Sequence, residues 1–257
     1  NMQNKTVVIT GITGQDSSIL AHKLIEEDYI VVGAKRRTST FNTQRIDDIY
    51  NHPNLFIEYF DLCDASSINR IVSKYKPAYY INLAAQSFVK ASFDCPEDTI
   101  NGIVQGTLNA LEAIKNISPT TRYYCASSSE QFGTNNNIPV GGFNEQSEFK
   151  PASPYAIGKV AAHNLVQLYR KSYNLHASCG ILFNHESEIR SETFVTRKIT
   201  RAAAKIKLGL QDKLILGNLD AQRDIGHAKD YVEGMWLMLQ ADKPNDYILA
   251  TGETHSI

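Results

Sequence analysis

Tyr155 and Lys159, within Ser153-Pro154-Tyr155-Ala156-Ile157-Gly158-Lys159, are the side chains whose types and spacing first suggest chemistry. Pro154 suits the first turn of a helix, where a missing N–H costs nothing, and Ser153 is a natural cap before it. A helix starting there places Tyr155 and Lys159 one above the other on a single face. An ammonium group beside a phenol favours the phenolate and makes the tyrosine a candidate general base. With 13 tyrosines and 16 lysines in 257 residues, about one Tyr-x-x-x-Lys pair is expected by chance, so the pair needs support from elsewhere. Ser127-Ser128-Ser129-Glu130 offers it: a hydroxyl to polarise a substrate oxygen and a carboxylate for proton transfer. Three serines before a glutamate equally suit a turn. Position must decide between the two.

A third cluster lies near the N-terminus. Thr10-Gly11-Ile12-Thr13-Gly14-Gln15-Asp16-Ser17 follows a strand-like run and opens a helix, the context a dinucleotide-binding fingerprint requires. Its glycines let the backbone approach a pyrophosphate seated on the helix N-terminus. The spacing is Gly-x-x-Gly-x-x-Ser, so Ser17 occupies the position of the usual third glycine, where a small residue should still allow helix and strand to pack. At the end of the second strand an NAD site would carry Asp or Glu for the ribose hydroxyls; here Lys35-Arg36-Arg37 stands instead, about 25 residues after the first glycine. Guanidinium groups suit a 2′-phosphate, so NADP is the expected cofactor, with a solvated basic loop as the alternative.

The elements that must position these groups alternate. Strands are expected at 5–10, 30–34, 55–60, 79–83, 122–127 and 177–183. Helices are expected at 16–27, 65–75, 96–116 and 154–173. Near-continuously apolar strands alternating with helices predict an α/β, Rossmann-type doubly wound parallel sheet covered on both faces. Ligands of such sheets bind outside the carboxyl ends of the strands. The polar clusters follow those ends, at 11–17, 35–37, 61, 84–87, 127–130 and 184–187. Residues 133–152, with three asparagines and a Gly-Gly, read as a loop over the site. Beyond about 185 the alternation loosens into a helix at 194–208, a strand at 213–216 and a helix at 230–240. A cofactor domain over 1–185 is therefore expected, with 211–231 and 246–251 returning to it, and a smaller substrate-binding portion over 186–257.

Composition excludes several alternatives. The net charge of −1 gives no general attraction to nucleic acid or to an anionic membrane. No apolar run approaches the ~20 residues needed to cross a bilayer, and the start of the chain does not read as a signal peptide. Cys63, Cys95, Cys125 and Cys179 form no Cys-x-x-Cys pair, which argues against a zinc site or a secreted disulfide scaffold. A reduced, cytoplasmic enzyme without metal is expected.

The fingerprint, Asn82-Leu83-Ala84-Ala85-Gln86-Ser87 and Tyr155-x-x-x-Lys159 resemble extended short-chain dehydrogenase/reductases that act on nucleotide sugars. More specifically, Lys35-Arg36-Arg37, Ser128-Ser129-Glu130, Gly180-Ile181-Leu182-Phe183-Asn184-His185-Glu186-Ser187, Glu192-Thr193-Phe194-Val195-Thr196-Arg197-Lys198-Ile199-Thr200, Gly226-His227-Ala228-Lys229-Asp230-Tyr231 and Ala250-Thr251-Gly252 resemble the GDP-mannose 4,6-dehydratase family across essentially the whole chain. The resemblance implies a redox-neutral dehydration of a GDP-sugar, with Ser128, Glu130, Tyr155 and Lys159 as the catalytic set. It implies cofactor contacts from Gly11, Ile12, Thr13, Gly14, Gln15, Asp16, Arg36, Arg37, Ser39, Asp61, Leu62, Leu83, Ala84, Ala85, Ser87, Tyr155, Lys159, His185 and Arg190. Substrate contacts are implied for Ser87, Ser128, Glu130, Asn184, Lys198 and Arg223. It further implies a homo-oligomer, tetramer or dimer, in which the 36–45 loop reaches a neighbouring subunit's cofactor.

The chain departs from the family pattern at Ser17, at Glu188-Ile189-Arg190-Ser191 in place of Pro-Arg-Arg-Gly, at Asp98 in place of tyrosine and at Phe88 in place of histidine. Family members also continue past the point where this sequence stops, so the substrate portion is expected to be partial. These departures leave a GDP-heptose 4,6-dehydratase as an alternative. A nucleotide-sugar epimerase or reductase would need the Tyr–Lys pair but not Glu130, and a cofactor-binding remnant would need neither Glu130 nor a sugar.

Overall fold

A computed structural model describes residues 4–39, 42–85, 87–133 and 138–257. Seven parallel strands form one sheet in the order β10-β6-β5-β4-β1-β2-β3. They are β1 (Thr6–Thr10), β2 (Ile30–Lys35), β3 (Leu55–Tyr59), β4 (Tyr79–Asn82), β5 (Arg122–Ser128), β6 (Ala177–Leu182) and β10 (Asp246–Leu249). The order reverses between β1 and β4, whose register pairs Thr10 with Asn82. That switch point opens the crevice where ligands of such sheets bind.

Alternate residues on each strand enter two cores, as the two-residue period of a strand requires. Val8, Tyr80, Tyr123 and Cys125 pack under α2 (Ala65–Tyr75), α4 (Pro96–Ile117) and α5 (Pro154–Tyr173). Val7, Ile9, Ile81 and Tyr124 pack under α1 (Gln15–Glu26) and α7 (Ala228–Gln240), against Leu20, Leu24, Met235 and Trp236. The helices start where the local chemistry allows. Asp64 caps α2 by accepting from Ser66 N, and Ser153 Oγ accepts from Ala156 N at 3.0 Å just ahead of Pro154. Such caps contribute about 1 kcal/mol each. The Ser153 cap also fixes the first turn of α5, which carries Tyr155, with Lys159 one turn further on.

The segment after β6 differs from expectation in part. The expected helix forms as α6 (Val195–Lys207), and the strand expected at 213–216 does not form. Ile215 there is 76% exposed; with no neighbouring strand to pair its backbone, a short apolar run has nothing to hold it extended. One helix and two strand pairs were not foreseen. They are α3 (Val89–Asp94), the parallel pair β7 (Asn184–Glu186) with β9 (Ile225–His227), and the antiparallel pair β8 (Gln222–Arg223) with β11 (His255–Ser256). The 133–152 loop lies partly outside the described residues, its asparagines at 135–137 included, as does Gln86. The described part packs on Phe132 through Phe143, stacked at 4.4 Å, and Phe149 at 5.4 Å. It does not line the cleft described below; its aromatic side chains pack on Phe132 instead.

Candidate active site

The glycine loop turns tightly between β1 and α1. Gly11 has φ +69°, and a Cβ there would lie 2.9 Å from Ala84 Cα, so both conformation and space demand glycine. No side chain caps α1 at Gly14, which leaves the first amides of the helix available to an anion. Ser17, at the third position of the fingerprint, is buried. Its hydroxyl donates to Gly11 O and Gly14 O, so it staples the loop from inside. Thr10 Oγ1 accepts from the amides of Leu83 and Ala84 at 3.1 Å each and donates to Asn82 Oδ1 at 2.7 Å, locking β1 to the end of β4.

From this loop a cleft of about 850 Å³ runs across the sheet's carboxyl edge to α5. Gly11, Thr13, Gly14, Gln15, Asp16 and Arg36 line one end; Leu62, Leu83, Ala84, Ala85 and Ser87 line its middle; Ser128, Glu130, Tyr155, Lys159, Asn184, His185 and Arg190 line the other. Asp98, one of the departures, also faces it. Phe88, another, packs edge-on against Phe194 at 5.8 Å. Arg37 and Ser39 line an adjoining recess of about 660 Å³ with Lys35 and Tyr59, Arg37 lying 4.8 Å over the Tyr59 ring. Ile12, Asp61, Lys198 and Arg223 do not line either space. Ile12 is buried against Gly33, and Asp61 Oδ1 accepts from Cys63 N. Lys198 is exposed on α6, and Arg223 Nη1 donates to Gln222 O.

Tyr155 is 8% exposed. Lys159 Nζ sits 5.5 Å from the centre of its ring and donates to Ala126 O at 2.9 Å. Opposite, Ser128 ends β5 and opens a short 3-10 turn, Ser129–Phe132. Ser128 Oγ accepts from Glu130 N at 3.2 Å, while Gln131 Oε1 accepts from Ser128 N at 3.0 Å. This reciprocal pair fixes Ser128 and Glu130 relative to each other. Turn chemistry and a proton-transfer set are thus the same structure here.

His185 bridges the two halves of the cleft. Its Nδ1 donates to Phe183 O at 2.9 Å and its Nε2 to Asp16 Oδ2 at 2.6 Å, while the ring stacks on Tyr231 at 4.8 Å. Burial works against the charged ring, but the hydrogen bond and charge of Asp16 outweigh it and raise His185 above its ordinary value. The β7–β9 pairing sets His185 opposite Gly226, whose missing side chain makes room for Tyr231. Burial, with Asp224 and Asp230 nearby, pushes the Tyr231 phenol up to about 12.

Arg45, at the end of the 36–45 loop expected to reach a neighbouring subunit, also clasps its own chain. Nη1 donates to Thr13 O and Nε to Ile189 O, both at 2.9 Å. Burial, then the charge of Arg190, lowers its affinity for a proton.

The fold and this site together define an extended short-chain dehydrogenase/reductase of the nucleotide-sugar-modifying kind. The family model for GDP-mannose 4,6 dehydratase matches residues 8–257, and the chain belongs to that family. It is 53% identical over 260 residues to the GDP-mannose 4,6-dehydratase of Sinorhizobium fredii (strain HH103), covering 98% of this chain and 73% of the relative. With the Yersinia enterocolitica enzyme of the same name it shares 51% over 256 residues, covering 97% and 68%. Among solved structures, UDP-N-acetylglucosamine 4-epimerase from Methanobrevibacter ruminantium superposes with a TM-score of 0.86 at 26% identity, over 100% of this chain and 79% of that one. The dTDP-glucose 4,6-dehydratase of Bacillus anthracis, solved with NAD, gives 0.83 at 19%, over 98% and 76%, a likeness of fold alone. Among the described residues no helix is long and apolar enough to cross a membrane.

Proposed function

We propose that the chain is a GDP-mannose 4,6-dehydratase, converting GDP-mannose to GDP-4-keto-6-deoxymannose with NADP as the resident cofactor. The observation that carries this reading is the meeting of Ser128, Glu130, Tyr155 and Lys159 in one cleft with the glycine loop, in a chain about half identical to enzymes of that name. Three features support a dinucleotide: Gly11 keeps a backbone cradle that a Cβ would fill, the start of α1 is uncapped, and Arg36, whose guanidinium suits a 2′-phosphate, lines the same cleft. The nicotinamide supplies temporary storage of two electrons and a hydrogen taken from C4 and returned to C6.

The chain's own residues move the protons. Tyr155, with Lys159 beside it, takes the proton of the C4 hydroxyl. A ketone at C4 makes the C5 hydrogen acidic, and Glu130 removes it. Glu130 then returns a proton to the C6 hydroxyl, assisted by the Ser128 hydroxyl, so that water leaves. With C6 reduced, C5 takes a proton from solvent through Glu130, matched by the C4-hydroxyl proton that Tyr155 releases to solvent, so the net change is loss of one water. Asn184, which lines the cleft, is assigned to the sugar and diphosphate; Lys198 and Arg223, which the resemblance also implied, lie off the cleft and are left out of this assignment. His185 and Arg190 are assigned to the cofactor, with the remaining expected contacts along the glycine loop, the ends of β2, β3 and β4, and Ser87. We assign 1–185 to the cofactor domain, with 211–231 and 246–251 returning to it, and the rest of 186–257 to the substrate-facing portion. A homo-oligomer is part of the reading, supported by apolar exposure on α5, where Ile157 and Leu168 are 50% and 52% exposed.

Mass spectrometry of GDP-mannose incubated with the protein and NADP+ tests the reading, and loss of one water is the expected result. Glu188 and Ile189, which depart from the family pattern beside Arg190, favour running a GDP-heptose in parallel. Water loss from the heptose alone would reassign the sugar. Full activity in Glu130→Gln would remove the C5-base role and favour an epimerase or reductase.

A further inference from the structure

A buried polar ladder continues along α5 behind the Tyr–Lys pair. Tyr155, Lys159, His163 and Gln167 recur every four residues, and Arg170 extends the same side. His163 is 1% exposed, with Phe149 edge-on at 4.9 Å. Its Nδ1 lies 2.8 Å from Ser127 Oγ and its Nε2 3.2 Å from Gln167 Nε2. Gln167 Nε2 also donates to Asp246 Oδ2 at 2.8 Å, and Arg170 grips both Asp246 oxygens at 3.2 and 2.5 Å.

These contacts determine where the imidazole proton sits. An ionised carboxylate only accepts, so Gln167 must turn its NH₂ toward Asp246, and the second N–H is left facing His163. A proton on His163 Nε2 would then oppose donor to donor. It could not turn to Asp246 instead, because 3.6 Å separates the two atoms, beyond hydrogen-bond reach. Nε2 accepts, and the ring proton lies on Nδ1, which donates to Ser127 Oγ. Among the described residues Ser127 Oγ has His163 as its one hydrogen-bond partner, so its own proton is free to be donated. Ser127 lines the cleft with Ser128, Tyr155 and Lys159. His163, Cys179 and Asp246 also stand within 4.8 Å of one another as a candidate metal set, but Gln167 and Arg170 already commit the first and last to hydrogen bonds.

We infer that His163 is a positioning residue. Backed by Gln167 and Asp246, it locks the Ser127 hydroxyl as a hydrogen-bond donor to an acceptor oxygen in the cleft, carried by the sugar or by the nicotinamide ribose. A hydroxyl held in one orientation stabilises charge developing on such an oxygen without reorganising during the reaction. The catalytic consequence rests on the dehydratase reading; the tautomer does not.

Nitrogen-15 NMR of the imidazoles in the full chain reads the tautomer directly. The expected His163 signature is a protonated Nδ1 and an unprotonated Nε2, becoming a mixture in Gln167→Leu; a protonated Nε2 in the wild type overturns the inference. Kinetics then test the consequence. His163→Phe should lower kcat about tenfold or more with KM for GDP-mannose within about twofold, and His163→Asn, which restores an N–H near the Nδ1 position, should recover most of the loss. Because His163 acts through Ser127, the Ser127→Ala/His163→Phe double variant should be no slower than Ser127→Ala alone; additive losses indicate a merely structural role and overturn the inference. If Ser127→Ala lowers kcat and also weakens NADP+ binding in calorimetry, the acceptor is on the ribose; if kcat falls at unchanged affinity, it is on the sugar; an unchanged kcat overturns the inference. A wild type that removes water from no GDP-sugar sinks the dehydratase reading, while the NMR result still decides this one.

Discussion

Gly11→Ala is the sharpest single perturbation of the cofactor site, because the structure separates its two costs. The first is conformational: φ is +69°, and an L side chain in the left-handed region costs about 1–2 kcal/mol. The second is steric. The new Cβ would lie 2.9 Å from Ala84 Cα, 3.0 Å from Ala84 N and 3.1 Å from Leu83 O, all of them backbone. Those atoms cannot yield cheaply, since Thr10 Oγ1 holds the Leu83 and Ala84 amides. Relief by movement of backbone typically adds about 1–3 kcal/mol, for a total of about 2–5 kcal/mol. Gly209→Ala is the matched control: its φ is +73° and nothing lies within 4 Å of the added carbon, so only the first cost applies. Thermal unfolding with and without NADP+, together with calorimetric titration of NADP+, distinguishes where the strain goes. Gly11→Ala should lower Tm by about 4–20 °C, at about 2–4 °C per kcal/mol for a chain of this size. It should also weaken NADP+ binding at least tenfold as the loop shifts. Gly209→Ala should cost a few degrees and leave NADP+ affinity unchanged. Wild-type stability and affinity in Gly11→Ala, or an equal loss of affinity in both variants, would refute the assignment of this loop to the cofactor.

Three further outcomes follow from named contacts. Arg36→Ala should reduce NADP+ affinity tenfold or more and leave NAD+ affinity nearly constant in the same titration, since only the former carries a 2′-phosphate; equal losses would remove that role. Asp16→Asn should change the pH dependence of stability: His185 is raised above 6.5 in the folded chain, so the pair's contribution is complete below about pH 6.5 and fades as pH rises through the raised value. Urea unfolding of the variant should lack that decline, and a wild-type slope would disprove it. Glu58→Gln tests a purely structural pair. Burial opposes ionisation of Glu58, but Lys74, Tyr75 and Arg70 hold it at about 2 against an ordinary 4.5, so its stabilisation is present above about pH 4.5 and lost as pH falls toward 2. The full linkage of about 3 kcal/mol shrinks to about 1–2 kcal/mol because Arg70 and Lys74 are 50% and 59% exposed; unchanged urea midpoints at pH 7 would count against it.

Most of the sheet was legible because β1 to β5 are runs rich in β-branched or aromatic residues with polar residues at or just after their ends, and helix starts carried their own chemistry. Asp64, Ser153 and Pro154 act locally, within three residues of the amides they serve or replace. The misreadings arose where local signal was absent or misleading. Lys213-Leu214-Ile215-Leu216 has strand composition but no partner strand, whereas Asn184-His185-Glu186 has little β propensity and forms a strand because Ile225-Gly226-His227 lies beside it. Phe143 and Phe149 lie in a stretch that reads as a surface loop by its glycines, yet their aromatic surface drew it onto Phe132.

The site divides along the same line. Tyr155 and Lys159, the glycine loop and Ser128 with Glu130 are each a short motif, and a parallel sheet with its ligand edge at the strand ends necessarily brings such motifs together. Part of what fixes their orientation is not short-range. Asp16 reaches His185 across 169 residues and Arg45 reaches Ile189 across 144. The only sequence trace of the Ser127–His163 contact is a histidine eight residues after Tyr155. Four-residue spacing on a helix says that His163 lies below Lys159; it does not say that β5 presents a hydroxyl to it, nor that Gln167 behind it holds a carboxylate. A polar residue at such a position would ordinarily be read as a satisfied core histidine. The direction of its hydrogen bonds, set by an Asp246 carboxylate that can only accept, converts that reading into one about which way the Ser127 proton points, and hence into one about the cleft.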